Sequence, residues 1–199
     1  MAEEASDDYS KLAGLSDVDS PDRNPFSAAK KRLPWLVILL FLGLMTASLI
    51  GKFEAALEQK AILAIFIPLI GGMAGNSGTQ ALAVVVRGIA TGDLEDENKW
   101  KLILKEAFTG MIIGATCGAI ISLVIYLIYG ELLLGLLVGG AIFATLIVST
   151  LAGSLVPLIM HKVNIDPAVA SGPFITTISD IISILIYFGL ATAFMGYIT

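Results

Sequence analysis

Long apolar stretches constrain the fold of this chain more than any other feature. The first, residues 33–51, contains nineteen residues without a formal charge. A helix needs about 20 mainly apolar residues to cross the hydrocarbon core of a bilayer. Four further stretches reach that length, at about residues 61–89, 107–129, 132–160 and from Pro167 towards the C-terminal end. We therefore predict an all-α polytopic membrane protein with five transmembrane helices in the lipid bilayer.

Composition narrows the class of protein further. Hydrophobic residues make up 56 % and charged residues 15 % of the chain, whereas soluble domains contain about 25 % charged residues. Cys117 and His161 are the single residues of their types, so neither a disulfide framework nor a zinc site is expected. The net charge of −5 favours cations over nucleic acid as partners. We divide the chain into a cytoplasmic N-terminal segment, residues 1–32, and a membrane domain, residues 33–199.

Lysine and arginine residues predict the orientation in the membrane. Cytoplasmic loops carry the excess of these residues. With the N-terminus in the cytoplasm, nine of those in the short connections fall inside and two, Lys52 and Lys60, fall outside. We therefore expect the N-terminus inside and, after five spans, the C-terminus outside. The nine inside residues are Arg23, Lys30, Lys31, Arg32, Arg87, Lys99, Lys101, Lys105 and Lys162.

Asp180 is an isolated acid in the fifth span. No residue between Asp166 and Thr199 other than Asp180 carries a formal charge. In a helix that starts near Pro167, Asp180 lies roughly 20 Å along the axis, near the middle of the bilayer. A carboxylate at that depth costs at least ~2.5 kcal/mol, so it should face a protein interior or a water-filled path. Asp180 is therefore the first candidate for a functional residue.

Polar residues share one face of the fifth helix with Asp180, because their spacing of three, four and seven residues returns to the same side. One interpretation is structural: the hydroxyls bond to their own helix, and Asp180 hydrogen-bonds to Asn76 or Gln80 of the second span. The other is a polar surface that ions contact, because intramembrane acids are usually functional. The residues of this stripe are Pro173, Thr176, Thr177 and Ser183.

A glycine-rich polar patch, residues 71–80, interrupts the apolar second span with four glycines and four uncharged polar side chains. Irregular backbone at membrane depth is tolerated where it is buried or lines a cavity, so we expect a departure from a plain helix. The patch serves either close helix packing or a pore wall, since amide, hydroxyl and carbonyl oxygens are ligands for a hydrated cation. Its proximity to an intramembrane acid favours a pore wall. The expected lining residues are Gly72, Gly75, Asn76, Thr79 and Gln80.

The third span has a simpler pattern. Gly110, Gly114 and Gly118 recur every four residues, which predicts a seam of close helix packing without chemistry of its own. In the charged connector before this span, residues 97–105 are expected to form an interfacial helix.

Charge balance favours a dimer. One carboxylate neutralises half of a divalent ion, whereas a twofold homodimer with Asp180 near its axis presents two carboxylates. Mg²⁺ releases its waters reluctantly, so such a site would hold it with most of its hydration shell. We therefore expect a homodimer with the pore at the twofold interface and a divalent cation as its ligand.

Two long motifs occupy the second and fifth spans. They are Pro-Leu-Ile-Gly-Gly-Met-Ala-Gly-Asn-Ser-Gly-Thr-Gln at residues 68–80 and Asp-Pro-Ala-Val-Ala-Ser-Gly-Pro-Phe-Ile-Thr-Thr-Ile-Ser-Asp at residues 166–180. Both resemble motifs of the MgtE family of magnesium channels, and the resemblance covers most of the chain. It implies a homodimeric, five-span, Mg²⁺-selective channel of the cell (inner) membrane, with the pore lined by the second and fifth helices.

The resemblance also implies roles for individual residues. Asp180 matches the acid that holds hydrated Mg²⁺, and Asn76 lies on the pore wall. Backbone near Gly172 and Thr176 faces the ion. Asp166 matches an acid at the cytoplasmic mouth, where family members can share regulatory Mg²⁺ with their soluble domains.

The N-terminal segment departs from the family pattern. Residues 3–14 resemble the start of the family's plug helix, and Glu3 and Glu4 within it are candidate ligands of a regulatory cation. Family members usually carry an acidic helical domain and a pair of CBS domains before the plug, and this sequence has neither. We therefore expect a transmembrane fragment whose cytosolic regulatory domains are missing.

Two alternatives stay open at this stage. A proton- or Na⁺-coupled divalent-cation carrier would use Asp180 as its coupling residue and the interrupted second span as a gate. A structural or enzymatic membrane module has less support, since the sequence offers no paired acid, no Ser/His arrangement and no zinc motif for catalysis. We expect no enzyme activity, no catalytic residue and no organic cofactor.

Overall fold

The computed structural model describes residues 24–92, 99–164 and 172–194. Within these ranges the secondary structure is helical, and five helices are long and apolar enough to cross a membrane. This confirms the predicted fold class and the number of spans. The elements are α1 (Pro25–Gly51), α2 (Glu54–Gln59), a 3-10 segment (Ala61–Phe66), α3 (Ile67–Ala90), α4 (Lys99–Tyr129), α5 (Leu132–Lys162) and α6 (Gly172–Phe194).

Helix α1 begins earlier than its apolar stretch. The Asn24 side chain caps it by accepting a hydrogen bond of 3.0 Å from the Phe26 N–H, and Pro25 occupies the first turn, where its missing N–H costs nothing. None of the residues of α1 is buried. Leu49 and Ile50 near its C-terminal end pack against the main core, so α1 joins the bundle mainly at that end.

Helix α3 differs from the sequence-based expectation. The glycine-rich patch is helical throughout, within one helix from Ile67 to Ala90. The departure from α-helical geometry comes one turn earlier, in the 3-10 segment Ala61–Phe66. The expected interruption at residues 71–80 is therefore wrong, because the glycines serve close helix contacts rather than a break in the backbone.

The start of helix α4 also differs from the sequence-based expectation. It runs without a break from Lys99 to Tyr129, so the expected interfacial helix is the first part of the span itself. The predicted glycine seam is confirmed. A Cβ on Gly114 would lie 2.9 Å from the Phe143 carbonyl oxygen, and one on Gly118 would lie 2.6 Å from the Gly139 carbonyl oxygen. The backbones of α4 and α5 thus approach each other closely and run antiparallel.

The main core lies between the 3-10 segment and helices α3, α4, α5 and α6. Tyr187 and Phe188 of α6 are its largest fully buried side chains. The Tyr187 hydroxyl donates a hydrogen bond of 2.9 Å to the Leu63 carbonyl. Phe188 stacks on Phe53 with ring centroids 4.8 Å apart. These contacts fix one end of α6 against the segment that leads into α3.

Candidate functional site

Asp180 lies in the middle part of α6, a helix that runs from Gly172 to Phe194. Its side chain is half-buried and turned towards α3. Carboxylate Oδ1 lies 3.1 Å from the position that a Cβ on Gly71 would occupy. Within the described part of the chain, no side chain hydrogen-bonds to this carboxylate. The acid therefore lies beside the α3 backbone, and its carboxylate accepts no hydrogen bond from the side chains that the structure describes.

Glycines let α3 and α6 approach each other along this contact. A Cβ on Gly75 would lie 2.7 Å from Thr176 Cγ2, and one on Gly78 would lie 2.9 Å from Ser179 Oγ. Distances this short leave no space for a side chain on α3 at these positions. Gly75 is buried in this seam. Within the protomer, its neighbour on the facing helix is Thr176.

Hydroxyl groups next to Asp180 bond to their own helix. Thr176 donates to the Gly172 carbonyl and Thr177 to the Pro173 carbonyl, both at 2.9 Å. Ser183 is buried and donates to the main-chain carbonyl of Asp180 at 2.8 Å. Each hydroxyl uses its hydrogen in these bonds and keeps oxygen lone pairs for a further donor. Near a hydrated cation, that donor would be one of the ion's water molecules for the half-buried Thr176 and Thr177, whereas Ser183 is 0 % exposed.

A second polar stripe lies on the opposite side of α3 from its packed face. Gly72, Asn76 and Gln80 are four residues apart and exposed, so they share one side of the helix. Thr79 next to them is half-buried, and its hydroxyl donates to the carbonyls of Gly75 and Asn76, each at 3.0 Å. This exposed stripe carries amide groups within a helix that is long and apolar enough to cross a membrane.

The structure brings part of the predicted site together. Asp180 and Thr176 contact α3 directly, whereas the amides of Asn76 and Gln80 point away from the protomer. The structural interpretation with an Asp180 hydrogen bond to either amide is therefore not seen among the described residues. Glu3, Glu4 and Asp166 lie outside the described residues.

Some buried hydroxyls near the site were missed by the sequence analysis. Ser179 contacts Gly78, and Ser77 of α3 shares a hydrogen bond of 2.7 Å with Thr150 of α5. A signal was present, because α5 carries four hydroxyl residues in an otherwise apolar span, Thr145, Ser149, Thr150 and Ser154. Their place at the junction behind Asp180 depends on how α5 packs, which spacing does not show.

Within the described ranges, no three residues of the types His, Cys, Asp and Glu form a cluster suited to a metal ion. Among the described residues, Asp180 is the carboxylate at the α3–α6 contact. A metal site with two carboxylates at this contact would need its second carboxylate from outside the described residues of one protomer.

Five apolar helices, with an acid of α6 lying against a glycine of α3, define a polytopic helical membrane protein. A family model described as "MgtE: Divalent cation transporter" matches residues 67–190. This chain belongs to the MgtE family.

Curated relatives agree with this assignment. The magnesium transporter MgtE of Enterococcus faecalis is 52 % identical over 195 residues, which cover 98 % of this chain and 43 % of the relative. The magnesium transporter MgtE of Bacillus subtilis is 47 % identical over 96 % of this chain and 43 % of the relative. That of Thermus thermophilus is 33 % identical over 94 % of this chain and 42 % of the relative. The chain therefore spans less than half the length of these relatives.

Proposed function

We propose that this chain forms a Mg²⁺-selective channel, a homodimer whose twofold pore holds hydrated Mg²⁺ between two copies of Asp180. The observation that carries the proposal is the Asp180 carboxylate itself, half-buried in α6, turned to Gly71 and without a hydrogen bond from a described side chain. A carboxylate at membrane depth is unfavourable unless it is paired or hydrated. A hydrated cation supplies both the charge and the hydrogen-bond donors.

The exposed stripe of α3 supports a pore at an interface between two copies. Asn76 and Gln80 are exposed in the protomer, and amides facing lipid tails would be left without hydrogen-bond partners. Water in a pore satisfies them. A twofold axis beside α3 and α6 would place this stripe and Asp180 along one path across the membrane.

The cation is inferred from charge and hydration. Two copies of Asp180 balance a divalent ion, and all three relatives bear the name magnesium transporter. The hydroxyl oxygens of Thr176 and Thr177 have lone pairs for the water molecules of a hydrated ion, because their hydrogens are used within α6. Mg²⁺ retains its inner waters more firmly than other common divalent ions, so outer-sphere contacts of this kind suit it.

The alternative is a proton- or Na⁺-coupled divalent-cation carrier. Its gate was expected in a broken second span, as in carriers with discontinuous helices. Helix α3 is continuous from Ile67 to Ala90, so that expectation loses its structural support. We therefore favour the channel.

The test is Mg²⁺ flux into liposomes that contain the purified chain, combined with bilayer recordings. Asp180→Asn keeps the size and removes the charge, and we expect about a tenfold or greater loss of flux, since a Coulombic contribution above about 1.4 kcal/mol is removed. The control is Glu131→Gln, because Glu131 is an exposed acid at the start of α5. Unchanged flux in Asp180→Asn contradicts the proposed site. A flux that depends steeply on pH and shows no unitary currents supports the carrier instead.

A further inference from the structure

A groove with a volume of about 540 Å³ lies between helices α1 and α6. Sites for small molecules typically have volumes of about 300–1,000 Å³. The α1 wall is one stripe of the helix, because its lining positions recur at a spacing of three or four residues. The residues of this wall are Phe41, Leu44, Met45, Ser48, Leu49 and Lys52. Ile181 and Leu185 form the α6 wall.

The walls of the groove are apolar and open. Phe41, Leu44, Met45 and Leu185 are exposed large hydrophobic residues. The Ser48 hydroxyl donates a hydrogen bond of 2.8 Å to the Leu44 carbonyl, so α1 itself satisfies this polar group. Because α1 is long and apolar enough to cross a membrane, the groove would face lipid tails. An empty groove would leave its lining atoms without van der Waals contacts, which favours an apolar occupant.

Lys52 gives the groove one charged end. It directly follows Gly51, the last residue of α1, so its ammonium group belongs near the membrane–water interface. Glu54 and Glu58 lie on the next helix, but neither of them lines the groove. A lysine at the interface attracts anionic lipid headgroups. The groove therefore combines apolar walls with a cationic end, which matches the two parts of an anionic lipid.

The length of the groove matches one leaflet of a bilayer. Helix α1 advances eleven residues from Phe41 to Lys52, which is about 16 Å at a rise of about 1.5 Å per residue. This is roughly half of a hydrocarbon core about 30 Å thick. An acyl chain in the groove would reach from the interface to the middle of the membrane. There it would meet Ile181, which directly follows Asp180 in α6.

We propose that this groove binds an acyl chain of an anionic phospholipid, with the lipid phosphate beside the Lys52 ammonium group. A second copy of the chain is a less suitable occupant. A twofold contact at this face would bring two Lys52 residues to the same depth, and like charges repel each other. The inference does not depend on the proposed function, since the lipid would bind whether or not the chain conducts Mg²⁺.

The test is native mass spectrometry of the full chain in a mild detergent, titrated with phosphatidylglycerol or with phosphatidylcholine of the same acyl chains. Phosphatidylcholine has a phosphate group but no net charge, so phosphatidylglycerol should bind at a lower concentration. Lys52→Gln should raise the phosphatidylglycerol concentration for half occupancy about fivefold and leave that for phosphatidylcholine nearly unchanged. Lys60→Gln is the matched control, since Lys60 lies in the same connection between spans but does not line the groove.

Ser48→Phe tests the groove itself, because the larger side chain takes up its space. Binding of both lipids should weaken several-fold. The control is Ala47→Phe, which adds the same side chain at the neighbouring position outside the lining of the groove. Residues 47 and 48 are both exposed, so neither variant disturbs the core.

Equal effects of Lys52→Gln and Lys60→Gln would overturn the proposal, as would equal binding of the two lipids by the parent chain. Unchanged lipid binding in Ser48→Phe would also overturn it, because the lipid would then lie elsewhere. If that variant instead lowered the fraction of dimers and left lipid binding unchanged, the groove would belong to a contact with a second copy.

Discussion

Asp180 of α6 lies against Gly71 of α3, with carboxylate Oδ1 3.1 Å from the position that a Cβ on this glycine would occupy. The glycine therefore determines how closely the acid approaches the α3 backbone. In the proposed channel, this approach sets the distance of the carboxylate from the pore axis.

Gly71→Ala should change conduction more than stability. The added methyl group forces the Asp180 carboxylate to move by a few tenths of an ångström, so we expect a several-fold lower Mg²⁺ flux in liposomes at an unfolding midpoint near that of the parent chain. Gly43→Ala is the control, because no atom lies within 4 Å of a Cβ at that exposed position of α1. Equal flux in both variants would mean that the position of the carboxylate does not limit conduction.

Gly153→Ala should destabilise the bundle. A Cβ on Gly153 would lie 2.9 Å from the carbonyl carbon and 3.0 Å from the Cα of Gly78, and backbone atoms cannot rotate away. Overpacking of this kind costs about 1–3 kcal/mol or more, which unfolding in denaturant can measure.

The control for Gly153→Ala is Gly140→Ala on the same helix, where no atom lies within 4 Å of the new Cβ. It should be neutral or stabilising by up to about 1 kcal/mol through helix propensity. Similar stability of the two variants would show that α3 and α5 do not approach so closely at Gly78.

Tyr187→Phe should lower the free energy of unfolding by about 1–3 kcal/mol, because the buried Leu63 carbonyl loses its donor at 2.9 Å. The same change at Tyr126, which is exposed on α4, is the control and should have little effect. Chemical denaturation of both variants measures the difference. A loss no greater than that of Tyr126→Phe would mean that the hydrogen bond does not hold α6 to the 3-10 segment.

Asn76 should lie close to its counterpart in a second copy. In a chain with Cys117→Ala, we expect Asn76→Cys to form covalent dimers with a short bifunctional thiol reagent in membranes. Phe108→Cys is the control, since Phe108 is exposed on α4, away from α3 and α6. Equal cross-linking at both positions, or none at Asn76, would contradict a dimer with the α3 stripe at its interface.

The five spans were predictable because each depends on a local property, the length of an apolar stretch. The start of α4 was placed too late, because charged residues from Lys99 onwards extend the same helix beyond the apolar part. The polar face of α6 was also predictable from spacing, and Asp180 and Thr176 do contact α3.

The glycine patch shows where sequence reasoning fails. Gly75 and Gly78 suit either an irregular backbone or a close helix contact, and the distinction depends on what lies opposite. Thr176 and Ser179 of α6 fill that space, which is a property of tertiary packing.

The most direct test of the proposed channel is a crystal structure of the chain grown with Mn²⁺ as a stand-in for Mg²⁺, with anomalous scattering used to locate the ion. The account predicts two copies related by a twofold axis and an anomalous peak on that axis between the two Asp180 carboxylates, at a distance that leaves room for water. A monomer, or a dimer with both carboxylates turned towards lipid and no peak between them, would contradict it.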